Sequence, residues 1–320
     1  MDNNNKILVI GAGTMGHGIA QQAAMHGFSV ALVDQNESAL GKAGLMVREH
    51  LNFMREKNLL NTHDIETILA RIRYSMDLAA EAAQADFVFE AVFEALEIKR
   101  DVFAQLGECA RPDVVLASNT SSFDIGKLCD ATRNPERVIG AHWFHPPQAT
   151  PCIELITAPK TSEQTLQKAR AMAVALGKYP TRCTNAPGFV ANRIQFAMAA
   201  EAFKIVEEGL ATPEEVDRIV KSSFGFRLGA FGPFEIVDQA GIDVYLSIFA
   251  YLHKHLQDAQ FAPPALLRTL MEEKCLGLKS GKGFYDYSGG KANAVRRLRD
   301  ERLFDRLELF NREHAADLRL

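Results

Sequence analysis

The run AHWFHPPQATPCIE, residues 141–154, sets two histidines three apart and closes on a glutamate. Histidine titrates near neutrality, so a positioned imidazole can take up or release a proton. Glu154 lies in an apolar stretch, CIELI, where Ile153 and Leu155 face the side opposite to it. A carboxylate there is costly to bury unless it is paired. An imidazolium is a fitting partner. Such a pair orients the ring and favours its protonated form, which suits a base that takes a proton as a hydride leaves. Residue types alone leave both His142 and His145 open as that base. Pro146 biases His145 toward an extended or turn conformation. The plain alternative for either ring is a satisfied core histidine.

A second constellation is Gly11-Ala12-Gly13-Thr14-Met15-Gly16, a GxGxxG turn directly after the apolar run ILVI (7–10) and opening a helix-like segment. The first glycine allows the tight turn, the second lets backbone approach a pyrophosphate, and the third lets helix pack on strand. Thr14 and Met15 complete the expected cofactor turn. Asp34 ends the next strand-like run and is expected on the ribose 2′-hydroxyl, which selects NAD over NADP. FAD is the smaller rival, and a glycine turn without ligand the plain reading. Asn119 and Ser121 stand in SNTSS (118–122) after another strand end. Asn119 is expected beside the cofactor, and the hydroxyls of this segment near a substrate oxygen. Asn192, in PGFVANRI (187–194), opens a helix that can aim an amide at the same place. Arg48, Asn52 and Arg55 share one helical face, with Lys57 nearby. Such a face could meet a phosphate-bearing substrate tail; on charge spacing alone, a solvated helix face explains it better.

These groups need a scaffold. Strands are expected at 7–10, 29–34, 87–92, 114–119, 138–143 and 152–157. Helical periodicity falls at about 14–26, 37–60, 95–110 and 162–177, and in NTHDIETILARI, where Asn61 or Thr62 is the expected cap. Strands alternating with helices predict an α/β fold, a Rossmann-type, doubly wound, mostly parallel sheet. After TNAPGFVAN (184–192) nearly everything reads as helix. The expected division is a dinucleotide-binding domain over 1–185 and an all-helical substrate and dimerisation domain over 186–320.

Composition excludes several classes. The chain has 320 residues, 47% hydrophobic and 24% charged, as in an ordinary soluble protein. A net charge of -4 leaves no electrostatic footprint for nucleic acid. Five scattered cysteines without a CxxC pair point to reduced thiols in a cytosol and no metal site. Neither a cleavable leader nor a membrane span is expected from the sequence.

The chain resembles the L-3-hydroxyacyl-CoA dehydrogenase family over almost its whole length. VIGAGTMGHGIA, FEAVFEALEIKRDVF, ASNTSSFDI, AHWFHPP, IELI, PGFVANRI, GPFEIVDQAGIDVY and SGKGFYDY carry the resemblance, in the family's order. It implies His142 as catalytic base, Glu154 as the carboxylate that orients it, Ser121 and Asn192 on the substrate, and Glu94 and Lys99 near the nicotinamide. It also implies NAD, an (S)-3-hydroxyacyl-CoA substrate and a homodimer. The chain departs from the family at His145 and Ala95, where many members carry asparagine, and in the tail beyond Tyr287. His145 is read as a substrate contact. Related branches oxidise free 3-hydroxy acids such as L-gulonate or carnitine, and a lambda-crystallin-like structural protein is the non-enzymatic alternative. Leu303, Leu307 and Phe310 give the tail an amphipathic spacing, for packing on its own domain or for a dimer contact.

Overall fold

The computed structural model describes residues 5–60 and 65–314. It divides into two compact units, Met1–Ala199 and Ala200–Leu320.

The first unit holds a sheet of eight strands in the order β3-β2-β1-β4-β5-β6-β7-β8. The strands are β1 (Lys6–Ile10), β2 (Ser29–Val33), β3 (Ile72–Ser75), β4 (Phe87–Glu90), β5 (Val115–Ser118), β6 (Val138–Trp143), β7 (Cys152–Thr157) and β8 (Tyr179–Thr184). All neighbours run parallel except β6 and β7. β4, β5 and β6 are buried at every position, as expected of strands covered on both faces. The covering helices are α1 (Thr14–Met25), α2 (Glu37–Glu56), α3 (Ile65–Leu69), α4 (Leu78–Ala82), α5 (Leu96–Cys109), α6 (Ile125–Asp130) and α7 (Glu163–Ala175). One core lies on the α1, α2 and α7 side, around Ile19, Leu51 and Met172, and the other around Phe103, Leu116 and Leu128. The crossover order reverses between β1 and β4, which is where such sheets bind ligands.

The six expected strands are present with ends shifted by a residue or two, and β3 and β8 are additional. β3 has one buried residue, and β8 is half exposed with Pro180 inside it. Both sit at sheet edges, where the apolar alternation that marks a strand is weak. The expected cap at Asn61 or Thr62 lies outside the described residues.

α8 (Ala191–Glu207) begins in the first unit. The second unit continues through α9 (Pro213–Ser222), α10 (Phe224–Leu228), α11 (Pro233–Ala240), α12 (Ile242–Leu256), α13 (Ala265–Glu272) and α14 (Lys291–Glu313). Asp238 of α11 is 1% exposed and organises the SGKGFYDY segment. Its carboxylate accepts the backbone N–H of Phe284 and Tyr285 at 3.0 Å and the Tyr287 hydroxyl at 2.9 Å. Burial, with that bond to an anion, drives the Tyr287 phenol well above its usual range. The tail helix α14 packs on its own unit: Arg306 donates to Gly229 O at 2.8 Å, Arg302 lies over the Phe231 ring, and Phe310 meets Phe226 edge-on. Leu303 and Phe310 are half-buried there, while Leu307 is exposed.

Candidate active site

The glycine turn is built from sterics. Gly11 has φ +97°, and a Cβ on it would stand 2.5 Å from Ala91 O. A Cβ on Gly16 would stand 1.7 Å from Gly11 O, so strand and helix could not meet as they do. Gly13 caps α1 without a side-chain bond, and the first turn of α1 holds no acidic residue. Its N–H groups are therefore left for an anion from outside the chain. Asp34 Oδ2 accepts Ala12 N at 2.8 Å, and Oδ1 accepts Asn36 N at 2.9 Å, which locks the turn to the end of β2. A cavity of about 1040 Å³ opens above this edge, and Gly13, Thr14, Met15, Asp34, Glu94 and Asn119 line part of it. An uncapped helix end, an acidic residue one strand over and this volume fit a dinucleotide.

Glu94 and Lys99 line the same cavity as parts of a larger charged network. Lys99 is 1% exposed, and its Nζ lies 2.7 Å from Glu90 Oε1 and 3.1 Å from Glu94 Oε2. Glu90 is 0% exposed and accepts Ser118 Oγ at 2.6 Å and Val92 N at 2.8 Å. Glu94 Oε1 accepts the Thr120 hydroxyl at 2.6 Å and Ser121 N at 2.9 Å. Burial pushes the Glu94 carboxyl up, but Thr120, Lys99 and Ser121 together hold it below the usual range. Of the SNTSS hydroxyls expected near a substrate oxygen, those of Ser118 and Thr120 are instead committed to Glu90 and Glu94. Glu90 bears the same mark as Glu154, a carboxylate inside an apolar strand, but the sequence does not reveal its partner. Asn119 Oδ1 accepts Trp143 N at 2.8 Å and so ties the cavity edge to β6. Ala95 is the N-cap of α5 and makes no side-chain bond there, so the family's frequent asparagine would add a cap that this chain lacks.

His142 and Glu154 face each other across the antiparallel β6–β7 pair. Directly opposed residues project to the same side of a sheet, and His142 Nδ1 lies 2.9 Å from Glu154 Oε2. Both are buried, 3% and 4% exposed. The other carboxylate oxygen accepts Val190 N at 3.1 Å and Ala191 N at 2.8 Å, at the start of α8. Gly188 and Phe189, with φ +71° and +50°, turn the chain so that those N–H groups point at Glu154. Burial raises the Glu154 carboxyl, but His142 and the two N–H groups outweigh it and leave it below the usual range. Phe144 and Phe189 flank the His142 ring, with centroids 4.5 and 5.8 Å away. Asn192 Nδ2 donates to Ser121 O at 2.8 Å. One chain of bonds therefore joins the base, its carboxylate, the α8 terminus, Asn192 and Ser121.

The structure separates His145 from that group. It is exposed, beyond the end of β6, and its charge acts on His17 of α1. Burial first, then His50 and His145, lower the His17 imidazole, although the Gly13 carbonyl opposes them. The helix face at 48–57 is only partly free: Arg48 pairs with Glu66, and Arg55 bonds Asn52 at 3.3 Å. Lys57 lies over the Phe53 ring. No group of three or more metal-ligating side chains occurs among the described residues. No helix among them is long and apolar enough to cross a membrane.

Sheet order, glycine turn and cavity define a dinucleotide-binding unit of the Rossmann type. Residues 6–186 match the family model of the 3-hydroxyacyl-CoA dehydrogenase NAD binding domain, and residues 188–287 that of the 3-hydroxyacyl-CoA dehydrogenase C-terminal domain. The chain belongs to the 3-hydroxyacyl-CoA dehydrogenase family. It is 41% identical over 282 residues, 88% of this chain and 100% of the relative, to a probable 3-hydroxybutyryl-CoA dehydrogenase of Deinococcus radiodurans. A 3-hydroxyacyl-CoA dehydrogenase of Archaeoglobus fulgidus is similar in structure, with TM-score 0.80 and 31% identity over 96% of this chain and 99% of that one. A 5-formyl-3-hydroxy-2-methylpyridine 4-carboxylic acid 5-dehydrogenase, an NAD-dependent dismutase, follows with TM-score 0.72 and 30% identity over 96% of this chain and 98% of that one. The C-terminal-domain match ends at Tyr287, so α14 lies beyond it.

Proposed function

We propose that the protein oxidises the 3-hydroxyl of an (S)-3-hydroxyacyl-CoA to the ketone, reversibly, with NAD. The observation that carries this reading is the buried His142–Glu154 pair in the unit that also holds the dinucleotide turn. Bound NAD supplies the nicotinamide that accepts the hydride. His142 Nε2 takes the hydroxyl proton, because Nδ1 is committed to Glu154. Glu154 stabilises the imidazolium, and Phe144 and Phe189 keep water from the ring. Ser121 and Asn192 hold the substrate oxygens, and the Glu94–Lys99 network holds the nicotinamide side. Asp34 holds the ribose diol. Residues 1–185 carry the cofactor turn and the catalytic pair, and 186–320 add Asn192 on the substrate and a homodimer contact, in the cytosol. The exposure of Phe196 and Phe203 on α8, 65% and 69%, supports that contact.

Asp34 also yields a cofactor test. A 2′-phosphate would meet its carboxylate at a cost of about 1.4 kcal/mol or more, so NAD is preferred over NADP by at least roughly tenfold in kcat/KM. Equal kcat/KM for the two cofactors in the wild-type enzyme overturns this.

The dismutase relative acts on a compound named as a free acid, which favours a second reading, a free 3-hydroxy acid as substrate. A panel of 3-hydroxyacyl-CoAs and free 3-hydroxy acids under NAD decides between them. On the CoA reading, Arg55 and Lys57 changed together to alanine raise KM for the thioester roughly fivefold, since two screened contacts are worth about 1 kcal/mol. KM for NAD stays unchanged. Arg48→Ala has a smaller effect, because Glu66 already engages that guanidinium. Good turnover of free acids with none of the thioesters rejects the CoA reading.

A further inference from the structure

We infer that Lys178 is a positioning residue for the dehydrogenase reaction: its buried ammonium fixes the loop joining the His142 strand to the Glu154 strand, and through that loop the register of the catalytic pair. The inference rests on the reading of His142 as the base.

Lys178 stands between α7 and β8 and is 7% exposed. Its Nζ donates to Pro147 O at 2.6 Å and to Thr150 O at 2.9 Å, and it lies 5.4 Å from the Trp143 ring centroid. Among the described residues it has no carboxylate partner. A buried charge with no counter-ion is costly, and an apolar side chain would fill the place without that cost. What the ammonium provides is contact with the loop: two carbonyls and, behind them, the π face of the residue next to His142.

The loop, residues 144–151, is the connection of the antiparallel pair on which His142 opposes Glu154. A slip of one residue in such a pair turns every side chain to the other face. The opposite wall of the loop is α1. A Cβ on Gly18 would stand 2.4 Å from Pro147 Cγ, so helix and loop touch where only glycine fits. Tyr179 N donates to Pro151 O at 2.8 Å, which fastens the loop's far end to the residue after Lys178. The loop is thus held between a helix and a charged clamp.

The clamp is sensitive to pH. Desolvation lowers the Lys178 ammonium to about 8, and no neighbouring charge contributes. Titratable groups around it include His145 on the loop, the adjacent Tyr179, and His26, the residue capping the end of α1, which packs on Gly177. Lys178 is charged below about 8 and neutral above it, so its two charge-assisted bonds weaken as pH rises through that value. The buried Cys129 thiol and the half-buried Cys183 thiol are pushed up to about 11 by desolvation and titrate later.

The test compares wild type, Lys178→Met and Lys178→Arg, with initial rates from pH 6 to about 10, KM for both substrates and thermal melting. Misplacement by an ångström can cost about a hundredfold in rate. Lys178→Met therefore lowers kcat ten- to roughly a hundredfold near neutrality, with KM for NAD within about twofold. Wild-type kcat/KM declines on the alkaline side with a midpoint near 8, Lys178→Met lacks that limb, and Lys178→Arg regains rate and carries the limb beyond the range. A folded Lys178→Met enzyme with wild-type kcat and pH profile overturns the inference. If that variant does not fold, a wild-type profile flat to about pH 9.5, or an Arg variant whose limb stays in place, overturns it instead. Activity retained in His142→Ala rejects the underlying reading; dependence on His142 with a silent Lys178 rejects this inference alone.

Discussion

His142→Ala lowers kcat by roughly 10²–10⁴, the usual worth of a positioned acid–base group. The size follows from the surroundings. The ring is 3% exposed and flanked by Phe144 and Phe189, so water has poor access to replace it as proton acceptor. Nδ1 is committed to Glu154, which leaves Nε2 as the one nitrogen able to take the hydroxyl proton. KM for NAD changes little, because the glycine turn and Asp34 hold their geometry through bonds to each other. His145→Asn is the control. That ring is exposed and acts on His17, so the change spares kcat and alters substrate preference. Steady-state kinetics of the two variants decide. Loss of turnover in His145→Asn, with His142→Ala active, reverses the assignment of the two rings.

The sequence exposed those parts of the molecule whose chemistry is local. GxGxxG followed by Asp34 is one strand, one turn and one helix, and each glycine is demanded by a clash a few residues away. The β6–β7 register was readable only in part. Glu154 announced itself as a carboxylate among apolar neighbours, but two histidines competed for it, and the resemblance rather than the spacing chose His142. Pairing across the sheet supplies the physical reason, since His142 is directly opposite Glu154 while His145 lies beyond the last paired residue, Trp143. Glu90 carries the same signal, but its partner Lys99 sits on a helix whose facing periodicity does not give. Lys178 gave no signal. Its ligands are carbonyl oxygens, present at every residue, and only the fold brings Pro147 and Thr150 to it. The grouping of His17, His50 and His145 is likewise tertiary: Gln148 Nε2 reaches His50 Nδ1 at 3.3 Å, and the His17 and His50 centroids are 5.7 Å apart.

Glu154→Gln lowers kcat by a similar factor, roughly 10²–10⁴, although the side chain keeps its shape. Both carboxylate oxygens are acceptors here, one for the imidazole and one for Val190 N and Ala191 N. Glutamine has one acceptor oxygen. If that oxygen serves the α8 terminus, its NH₂ faces His142 Nδ1, and the ring must shift its proton to Nε2 to avoid two opposed donors. Nε2 then carries a hydrogen where it must accept one. If the oxygen serves the ring, the NH₂ meets two backbone N–H groups and the start of α8 is pushed away. Either arrangement also removes the charge that stabilises the imidazolium formed in the step itself. The sign for stability follows from the Glu154 carboxyl, held below its usual value of 4.5 by His142 and the two N–H groups against burial. Its contribution is fully present above the usual carboxylate range and is lost as pH falls through the lowered value. The melting temperature of Glu154→Gln therefore lies below that of wild type near neutrality, and the difference narrows in acid. Kinetics and melting curves at two pH values check both parts, and nitrogen NMR of the imidazole reports the tautomer. A Glu154→Gln enzyme with kcat within about threefold of wild type would show that the carboxylate serves packing alone.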